Sequence, residues 1–179
     1  HYDAYREKLD NRGNLELQIP NIDYSYNKNN KVFCMDSNIL ANKIKGDVVY
    51  IDPPYNSRQY SDTYHLLENL ALWKKPEVFG KAKKMNRSHI KSKYCSKDAV
   101  IEFQDLITKL DTKHIIVSYN NTENTKHGRS NSKISFNQIK NILMRKGKTE
   151  INQIDFKAFT AGKSKTDNHK EILFYCRVK

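Results

Sequence analysis

Four consecutive residues in the first third of the chain combine a carboxylate, two prolines and an aromatic ring: Asp52, Pro53, Pro54 and Tyr55. Neither proline has a backbone N–H, so this segment cannot extend a hydrogen-bond ladder, while the carbonyls of Asp52 and Pro53 remain available as acceptors. A carboxylate beside such carbonyls is suited to hold the protons of an amine. The motif therefore predicts a site that grips a planar amine.

The elements around this motif place it at the carboxyl end of a strand. Residues 47–51 form a mainly apolar run that precedes it directly. Upstream, residues 32–35 predict a first short strand that ends at Asp36, and residues 37–45 predict a helix. Because ligands bind beyond the carboxyl ends of the strands in open α/β sheets, Asp52 and Tyr55 stand where a ligand is expected.

Two longer helices are predicted after the motif. Ser61 or Asp62 caps a helix that runs to about Trp73, and its apolar face comprises Tyr64, Leu67, Leu70 and Ala71. Ser96 caps the next helix, which ends at Asp111. Its apolar residues recur at helical spacing and are Val100, Ile101, Phe103, Leu106, Ile107 and Leu110.

The last third of the chain predicts three strands and one helix. Residues 114–118 form a buried strand, and Ser135 with Gln138 forms a capping box for a helix that ends near Gly147. The two final strands, residues 151–159 and 171–178, are expected to pair antiparallel, because the polar interval between them has no helical period.

Composition favours a single α/β domain with a polyanionic partner. The chain has 179 residues, with 32 Lys and Arg against 20 Asp and Glu and a formal charge of +12. This length can bury a core, and the charge would raise the rate of encounter with nucleic acid. The alternative is that the basic balance serves solubility alone.

Cysteine and histidine usage predicts neither disulfides nor a metal site. Cys34, Cys95 and Cys176 are unevenly spaced without a Cys-x-x-Cys pair, and the six histidines occur singly. Cys34 and Cys176 lie in apolar runs and are expected in the core. Since no apolar stretch approaches about 20 residues and no signal peptide opens the chain, we expect a soluble cytoplasmic protein without a membrane span.

The motif and the residues after it resemble a known family. The sequence Asp-Pro-Pro-Tyr after a strand is similar to the catalytic motif of amino-methyltransferases that modify adenine in DNA. Residues 52–60, DPPYNSRQY, and residues 63–68, TYHLLE, resemble in particular the Dam-like (alpha) group of bacterial adenine-N6 methyltransferases. The alternative interpretation is a double-proline turn after a buried strand.

The resemblance implies a fold, a methyl donor and a substrate. The fold is the carboxyl-terminal part of a Rossmann-like methyltransferase sheet, mostly parallel, with an antiparallel edge pair at the carboxyl terminus. The donor is S-adenosylmethionine, and the partner is double-stranded DNA. Asp52 and the carbonyl of Pro53, followed by Pro54, would hydrogen-bond the adenine amine as its nitrogen becomes tetrahedral. Tyr55 would stack on the flipped-out base.

The resemblance also implies two cofactor-binding residues. Asp36 occupies the position of an acidic residue that family members use against the adenine moiety of S-adenosylmethionine. The alternative role of Asp36 is to cap the helix that follows, and the two roles can coexist. Asn56 is a candidate because it adjoins the catalytic loop.

Further residues are candidates for binding DNA. Tyr119 and Asn120 resemble part of a Ser-Tyr-Asn motif that borders the target-base pocket, and a polar turn explains them equally well. Four basic residues are predicted to contact phosphates, with solvated loops as the alternative: Arg58, Arg87, Lys91 and Lys93. Residues 74–93 and 120–133 show no regular pattern and are candidate DNA-facing loops.

One expected element has no counterpart in the chain. Family members bind the methionine end of the cofactor with a Phe-x-Gly-x-Gly loop, and no two of the six glycines here are two residues apart. We therefore expect an upstream segment or companion chain to carry that loop. Residues 1–30 would be the tail of a DNA-recognition region, and residues 31–179 the carboxyl-terminal part of the catalytic domain.

Three functions follow from these observations. The first is a site-specific adenine-N6 DNA methyltransferase, in a restriction-modification system, represented by a portion without the glycine-rich loop. The alternative is a nucleic-acid-binding fragment or subunit without transfer activity of its own. Methylation of RNA or of a protein amide is less favoured, because related enzymes with those acceptors more often carry Asn at the position of Asp52.

Overall fold

The computed structural model describes residues 16, 18–21, 29–54, 56–122, 132–155 and 170–179. Within these ranges the helices are α1 (Ser37–Leu40), α2 (Tyr60–Ala71), α3 (Ala99–Lys109) and α4 (Phe136–Lys146). The strands are β1 (Lys45–Ile51), β2 (Val78–Phe79), β3 (Lys84–Met85), β4 (Asp111–Asn120), β5 (Gly147–Asp155) and β6 (Lys170–Val178). Two short 3-10 turns, Ser88–Ile90 and Lys93–Cys95, precede α3.

The main sheet is mixed and has four strands in the order β1-β4-β6-β5. Strands β1 and β4 pair in parallel, with Ile51 opposite Val117. The β4–β6 and β5–β6 pairs are antiparallel. The predicted antiparallel pairing of the final strands is confirmed, and the chain is a mixed α/β fold. The expectation of a mostly parallel sheet is wrong for the described residues.

The parallel part of the sheet is smaller than predicted because residues 32–35 do not form a strand. Val32 is 96% exposed, and Phe33 and Met35 are also exposed. Cys34 is exposed as well, contrary to the expectation that it lies in the core, whereas Cys176 is fully buried. Extended backbone is stabilised by a neighbouring strand and by burial of alternate side chains, and residues 32–35 show neither.

The core lies between one face of the sheet and helices α3 and α4. Side chains of β4 alternate between buried and half-buried, as a half-buried strand requires. Those that face the helices pack into a cluster with helical and β6 residues, which includes Phe103, Ile107, Ile115, Val117, Leu143 and Phe174. The predicted apolar face of α3 is confirmed at Phe103, Leu106 and Ile107, while Ile101 is exposed.

Helix α4 begins as the sequence predicts. The Ser135 hydroxyl accepts a hydrogen bond from the Gln138 backbone N–H at 3.2 Å, and the Gln138 side chain accepts one from the Ser135 N–H at 2.8 Å. This reciprocal pair is a complete capping box. It fixes the start of the helix that packs against β5 and β6.

Gly147 follows α4 directly, but its role differs from that of a left-handed helix cap. Its backbone is extended and opens β5. A Cβ atom at this position would lie 2.0 Å from the Arg177 carbonyl oxygen of β6. The glycine is therefore required by the close approach of the neighbouring strand.

Helix α2 follows the Asp-Pro-Pro-Tyr motif. The side of this helix that the sequence predicts to be buried is exposed. It begins at Tyr60 after Gln59, so neither Ser61 nor Asp62 is the cap residue. Tyr64, Leu67, Leu70 and Ala71 are exposed, whereas His65 is 5% exposed. The helical period is correct, but the buried side of a helix depends on its tertiary neighbours.

Residues 74–93 have regular structure where none was predicted. Strands β2 and β3 form a two-stranded antiparallel hairpin. The two 3-10 turns follow it before α3. Among the described residues, no helix is long and apolar enough to cross a membrane, and no group of His, Cys, Asp and Glu could hold a metal ion.

Candidate active site

A cleft of about 880 Å³ lies at the carboxyl end of β1. Its walls come from three places: the end of β1 with the residues that follow, the region of α1, and the segment that carries the two 3-10 turns. Of the predicted site residues, the cleft brings together Asp36, Asp52, Pro53, Pro54, Lys91 and Lys93. The structure therefore places these residues in one cleft, and their roles in binding or catalysis stay predictions.

Strand β1 delivers Asp52 to the cleft. Its last residue, Ile51, is buried in the core and lies opposite Val117 of β4, which anchors the strand end. The Asp52 residue is exposed, Pro53 is buried and Pro54 is half-buried. The prolines end the ladder at the rim of the cleft, as expected for residues without an N–H. Tyr55 lies outside the described residues.

The residues after Tyr55 are held against the opposite wall of the cleft. The Asn56 Oδ1 atom accepts a hydrogen bond from the Arg58 N–H at 2.9 Å, which closes a tight turn. The Gln59 side chain then clasps Ser92, since its Oε1 accepts from the Ser92 N–H at 2.7 Å and its Nε2 donates to the Ser92 carbonyl at 3.0 Å. This clasp connects the motif to the cleft wall, and the sequence interpretation did not identify it.

Asp36 caps α1 and also lines the cleft. Its Oδ1 atom accepts hydrogen bonds from the backbone N–H groups of Asn38 at 2.9 Å and Ile39 at 3.1 Å. The alternative role that the sequence suggested, a helix cap, is therefore present. The cap holds the carboxylate at the edge of the cleft.

Asn38 is a buried polar residue that joins three elements around the cleft. Its Oδ1 atom accepts a hydrogen bond from the Tyr94 hydroxyl at 2.9 Å. Its Nδ2 atom donates to the Glu102 carbonyl at 2.9 Å and to the Asp105 carboxylate at 2.8 Å, both on α3. Burial raises the pKa of the Tyr94 hydroxyl well above its ordinary value, so it remains a donor. No pattern of residues indicates this network in advance, because an isolated Asn in a short helix has many explanations.

The four predicted phosphate contacts fall into different environments. Lys91 is exposed and lines the cleft, whereas Lys93, also in the cleft wall, forms an ion pair with Glu102 at 2.8 Å. The hydrogen bond to Glu102 raises the pKa of Lys93. Arg58 is exposed and is not among the cleft-lining residues.

Arg87 is mostly buried and has a structural environment. Its Nε donates to the Asp62 carboxylate at 2.8 Å, and its Nη1 donates to the Met85 carbonyl at 2.9 Å. The guanidinium therefore connects the β2–β3 hairpin to helix α2.

Tyr119 and Asn120 are not among the residues that line the cleft. Tyr119 is 1% exposed in the core, and its hydroxyl accepts a hydrogen bond from the Ile134 N–H at 3.1 Å. The Asn120 Oδ1 accepts from Thr122 and from the Ser132 hydroxyl, which closes a turn. These contacts agree with the alternative interpretation of a polar turn. A role of Tyr119 or Asn120 at a target base stays a prediction.

The cleft lining combines apolar side chains with charged groups of both signs, since Lys91 and Lys93 line it and Lys93 pairs with Glu102. Apolar side chains from β1 and the helices line it, including Leu40, Ile44, Val49 and Leu106. Carboxylates of Asp36, Asp52 and Glu102 lie in the same lining. Apolar walls suit a planar ring, and carboxylates favour a cation or the protons of an amine.

Comparison with known proteins gives consistent results. A family model described as "D12 class N6 adenine-specific DNA methyltransferase" matches residues 1–121. The modification methylase StsI of Streptococcus sanguinis is 38% identical over 99% of this chain and 27% of its own length. The type II methyltransferase M.NlaIII of Neisseria lactamica is 39% identical over 78% of this chain and 39% of its own length.

A third relative, the type II methyltransferase M.FokI of Planomicrobium okeanokoites, is 43% identical over 66% of this chain and 18% of its own length. The chain thus spans less than half the length of these curated relatives. No solved structure matches the chain significantly.

Proposed function

Because the chain belongs to the D12 class of N6 adenine-specific DNA methyltransferases, we propose that it forms the target-base half of an enzyme that methylates adenine in double-stranded DNA. The methyl group would go from S-adenosylmethionine to the N6 amine of a flipped-out adenine. One of these relatives is named a modification methylase and the other two are named type II methyltransferases, which supports a role in a bacterial restriction-modification system, in the cytoplasm.

The observation that carries this proposal is the cleft shared by Asp52, Pro53 and Asp36. The amine of adenine is a weak nucleophile because its lone pair is delocalised into the ring. Two acceptors on its protons would localise that pair on nitrogen. Asp52 would accept one of these hydrogen bonds through its carboxylate, and Pro53 would accept the other through its carbonyl.

The chain's own residues also give this half-site its rigidity. The prolines restrict the backbone φ angle near the acceptors, and the Gln59–Ser92 clasp holds the downstream end of the motif. Such preorganisation matters because acceptors that are fixed before the reaction need not reorganise during it. Tyr55 would stack on the flipped base, and the proton that the amine loses would leave through the Asp52 carboxylate to solvent.

The chemistry of the cleft fits S-adenosylmethionine. A cleft of about 880 Å³ with apolar walls can enclose an adenosine group, and the carboxylates favour its sulfonium and ammonium charges. Asp36 would hold the adenosine end, and Asn56 would contribute from the edge of the loop. When bound, this cofactor supplies an electrophilic methyl group.

A Rossmann-like sheet completed by another segment belongs to the same proposal. Among the described residues β1 is the outermost strand on its side of the sheet, and Val48 and Tyr50 on it are exposed. A segment with a glycine-rich loop, from the same protein or from a companion chain, would cover this side and complete the cofactor site. Residues 1–30 would belong to the DNA-recognition region.

The proposal is tested by methyl transfer. The chain, alone and together with a segment that carries a glycine-rich loop, is incubated with duplex DNA and methyl-labelled S-adenosylmethionine, and N6-methyladenine is quantified. Asp52→Ala should reduce kcat by about 100-fold or more. Asp155→Ala, at the exposed end of β5, is the matched control and should leave the rate unchanged. No N6-methyladenine from the completed protein would refute the proposal.

The second candidate is a binding module that has no transfer activity of its own. The observation in its favour is the absence of a glycine pair at the spacing of the cofactor loop. This candidate predicts salt-dependent DNA binding together with an assembled protein in which Asp52→Ala changes nothing. Methyl transfer by the chain alone would exclude it.

A further inference from the structure

The β2–β3 hairpin and the residues before it form an exposed basic surface, residues 73–85, which we call the lysine hairpin. Helix α2 ends in a turn in which Trp73 has a φ angle of 51°. The hairpin turn then uses Gly80 at 68° and Lys83 at 47°, closed by a hydrogen bond from the Lys83 N–H to the Gly80 carbonyl at 3.2 Å. These left-handed positions produce a tight, defined turn.

Side-chain contacts fix the lysine hairpin against α2. The Asn69 Nδ2 atom lies 3.0 Å from the Met85 sulfur, and the Arg87 guanidinium links the Met85 carbonyl to Asp62. Asp62 is in the first turn of α2 and Asn69 is two turns later. The hairpin therefore runs along helix α2, which begins five residues after Tyr55.

The lysine hairpin carries a positive charge, and four of its lysines have no ion-pair partner among the described residues. It contains five lysines and one glutamate: Lys74, Lys75, Lys81, Lys83, Lys84 and Glu77. Within the described part of the chain, Lys74, Lys75, Lys81 and Lys83 are exposed and form no ion pair. Clustered lysines of this kind are the electrostatic signature of a surface that binds phosphates.

Exposed apolar side chains lie among these lysines. Trp73 is 80% exposed and Phe79 is 55% exposed, and Val78 beside Phe79 is also exposed. Aromatic side chains at the surface gain little from folding, but they can pack on the sugars and bases of a nucleic acid. The combination distinguishes this surface from a lysine-rich loop that serves solubility alone.

We propose that the lysine hairpin is a DNA-binding arm that contacts the duplex beside the target adenine; this inference rests on the proposed function for its choice of partner. Six residue steps separate Met85 from Lys91 in the cleft wall, so the arm begins within about 20 Å of the cleft.

The arm can be tested without any activity measurement, because Trp73 is the single tryptophan of the sequence. Saturating duplex DNA should change the fluorescence of Trp73 and protect it from quenching by iodide. The variant Lys74→Gln/Lys81→Gln/Lys83→Gln should make the slope of log Kobs against log salt about 2.7 less negative. Its affinity loss between about 50 and 200 mM salt should be about 40-fold smaller than that of the wild type.

The matched control replaces three exposed lysines outside the arm, Lys43, Lys97 and Lys148, by glutamine. An equal salt slope in the control and arm variants would overturn the proposal, as would unchanged iodide quenching of Trp73 at saturating duplex. Tighter binding of single-stranded RNA than of duplex DNA would overturn the choice of partner. Methyl transfer measured in parallel distinguishes failure of the arm proposal from failure of the proposed function. If the arm variant retains both methylation and the wild-type salt slope, the arm proposal is refuted and the proposed function is not.

Discussion

We expect the free energy of unfolding to depend strongly on Asn38, although Asn38 lies in a helix of only four residues. Replacing Asn38 with Ala removes three short hydrogen bonds of 2.8 to 2.9 Å, one to Tyr94, one to a backbone carbonyl of α3 and one to the Asp105 carboxylate. It also removes two longer ones, to Ser37 and to the Glu102 carboxylate. Each hydrogen bond contributes roughly 0.5–1.5 kcal/mol, and one to a charged group somewhat more. Asp105 is partly exposed, so we expect a total loss of about 2–4 kcal/mol in the free energy of unfolding.

The same chain offers a matched control four residues later. Asn42 is exposed, and its side chain makes one long hydrogen bond, 3.4 Å to the Asn38 carbonyl. Asn42→Ala should therefore cost less than about 0.5 kcal/mol. Tyr94→Phe removes one hydroxyl from the network and should cost about 1 kcal/mol.

Urea denaturation followed by circular dichroism measures these differences. The double variant Asn38→Ala/Tyr94→Phe should be more stable than the sum of the single effects predicts, by about 0.5–1 kcal/mol, because both single variants break the same hydrogen bond. If Asn38→Ala were no more destabilising than Asn42→Ala, the network would not hold the cleft wall together. Strict additivity in the double variant would show that Asn38 and Tyr94 act independently.

Three further predictions concern other parts of the fold. Gly147→Ala should destabilise the protein by about 3 kcal/mol or more in the same urea assay, because the new Cβ would overlap the Arg177 carbonyl. A loss below about 1 kcal/mol would contradict the close approach of β6 to Gly147. Ser135→Ala breaks the capping box and should cost about 1 kcal/mol, while Ser135→Asp, which keeps an acceptor, should cost less; equal losses would argue against capping. The raised pKa of Tyr94 means that the folded protein keeps a proton that the unfolded chain loses above about pH 10. Stability from this group is complete below that pH and should fall by up to about 1.4 kcal/mol per pH unit above it. In Tyr94→Phe this part of the decline should be absent, and an unchanged pH profile would refute the assignment.

The helical and strand periods predicted much of the fold, because local patterns carried the information. The capping box of α4, the buried strand β4 and the antiparallel pair β5–β6 follow from residue types at short spacing. Residues 32–35 show the limit of this approach. An apolar run becomes a strand only when a neighbour accepts its hydrogen bonds, and no local pattern reports whether that neighbour is there.

Helix α2 shows a second limit. Its helical period is plain, but the side chain that it buries is His65 rather than the predicted apolar face. The period of a helix follows from its own sequence, whereas the direction in which it packs depends on the rest of the protein. Gly147 gives a third case, since a glycine near a helix end suggested a cap and the actual constraint comes from β6, a strand distant in sequence.

By itself, the sequence determined which chemical groups stand side by side at the candidate site. Asp52 and the prolines after it are adjacent residues, so their combination of a carboxylate, available carbonyls and missing N–H groups is fixed by covalent order alone. Only the tertiary structure decided what surrounds them. The Gln59–Ser92 clasp and the Asn38–Tyr94 link join residues that lie 33 and 56 positions apart, and the cleft lining runs from Cys34 to Leu110. Contacts over such distances arise when the strands and helices pack, and no local spacing encodes them.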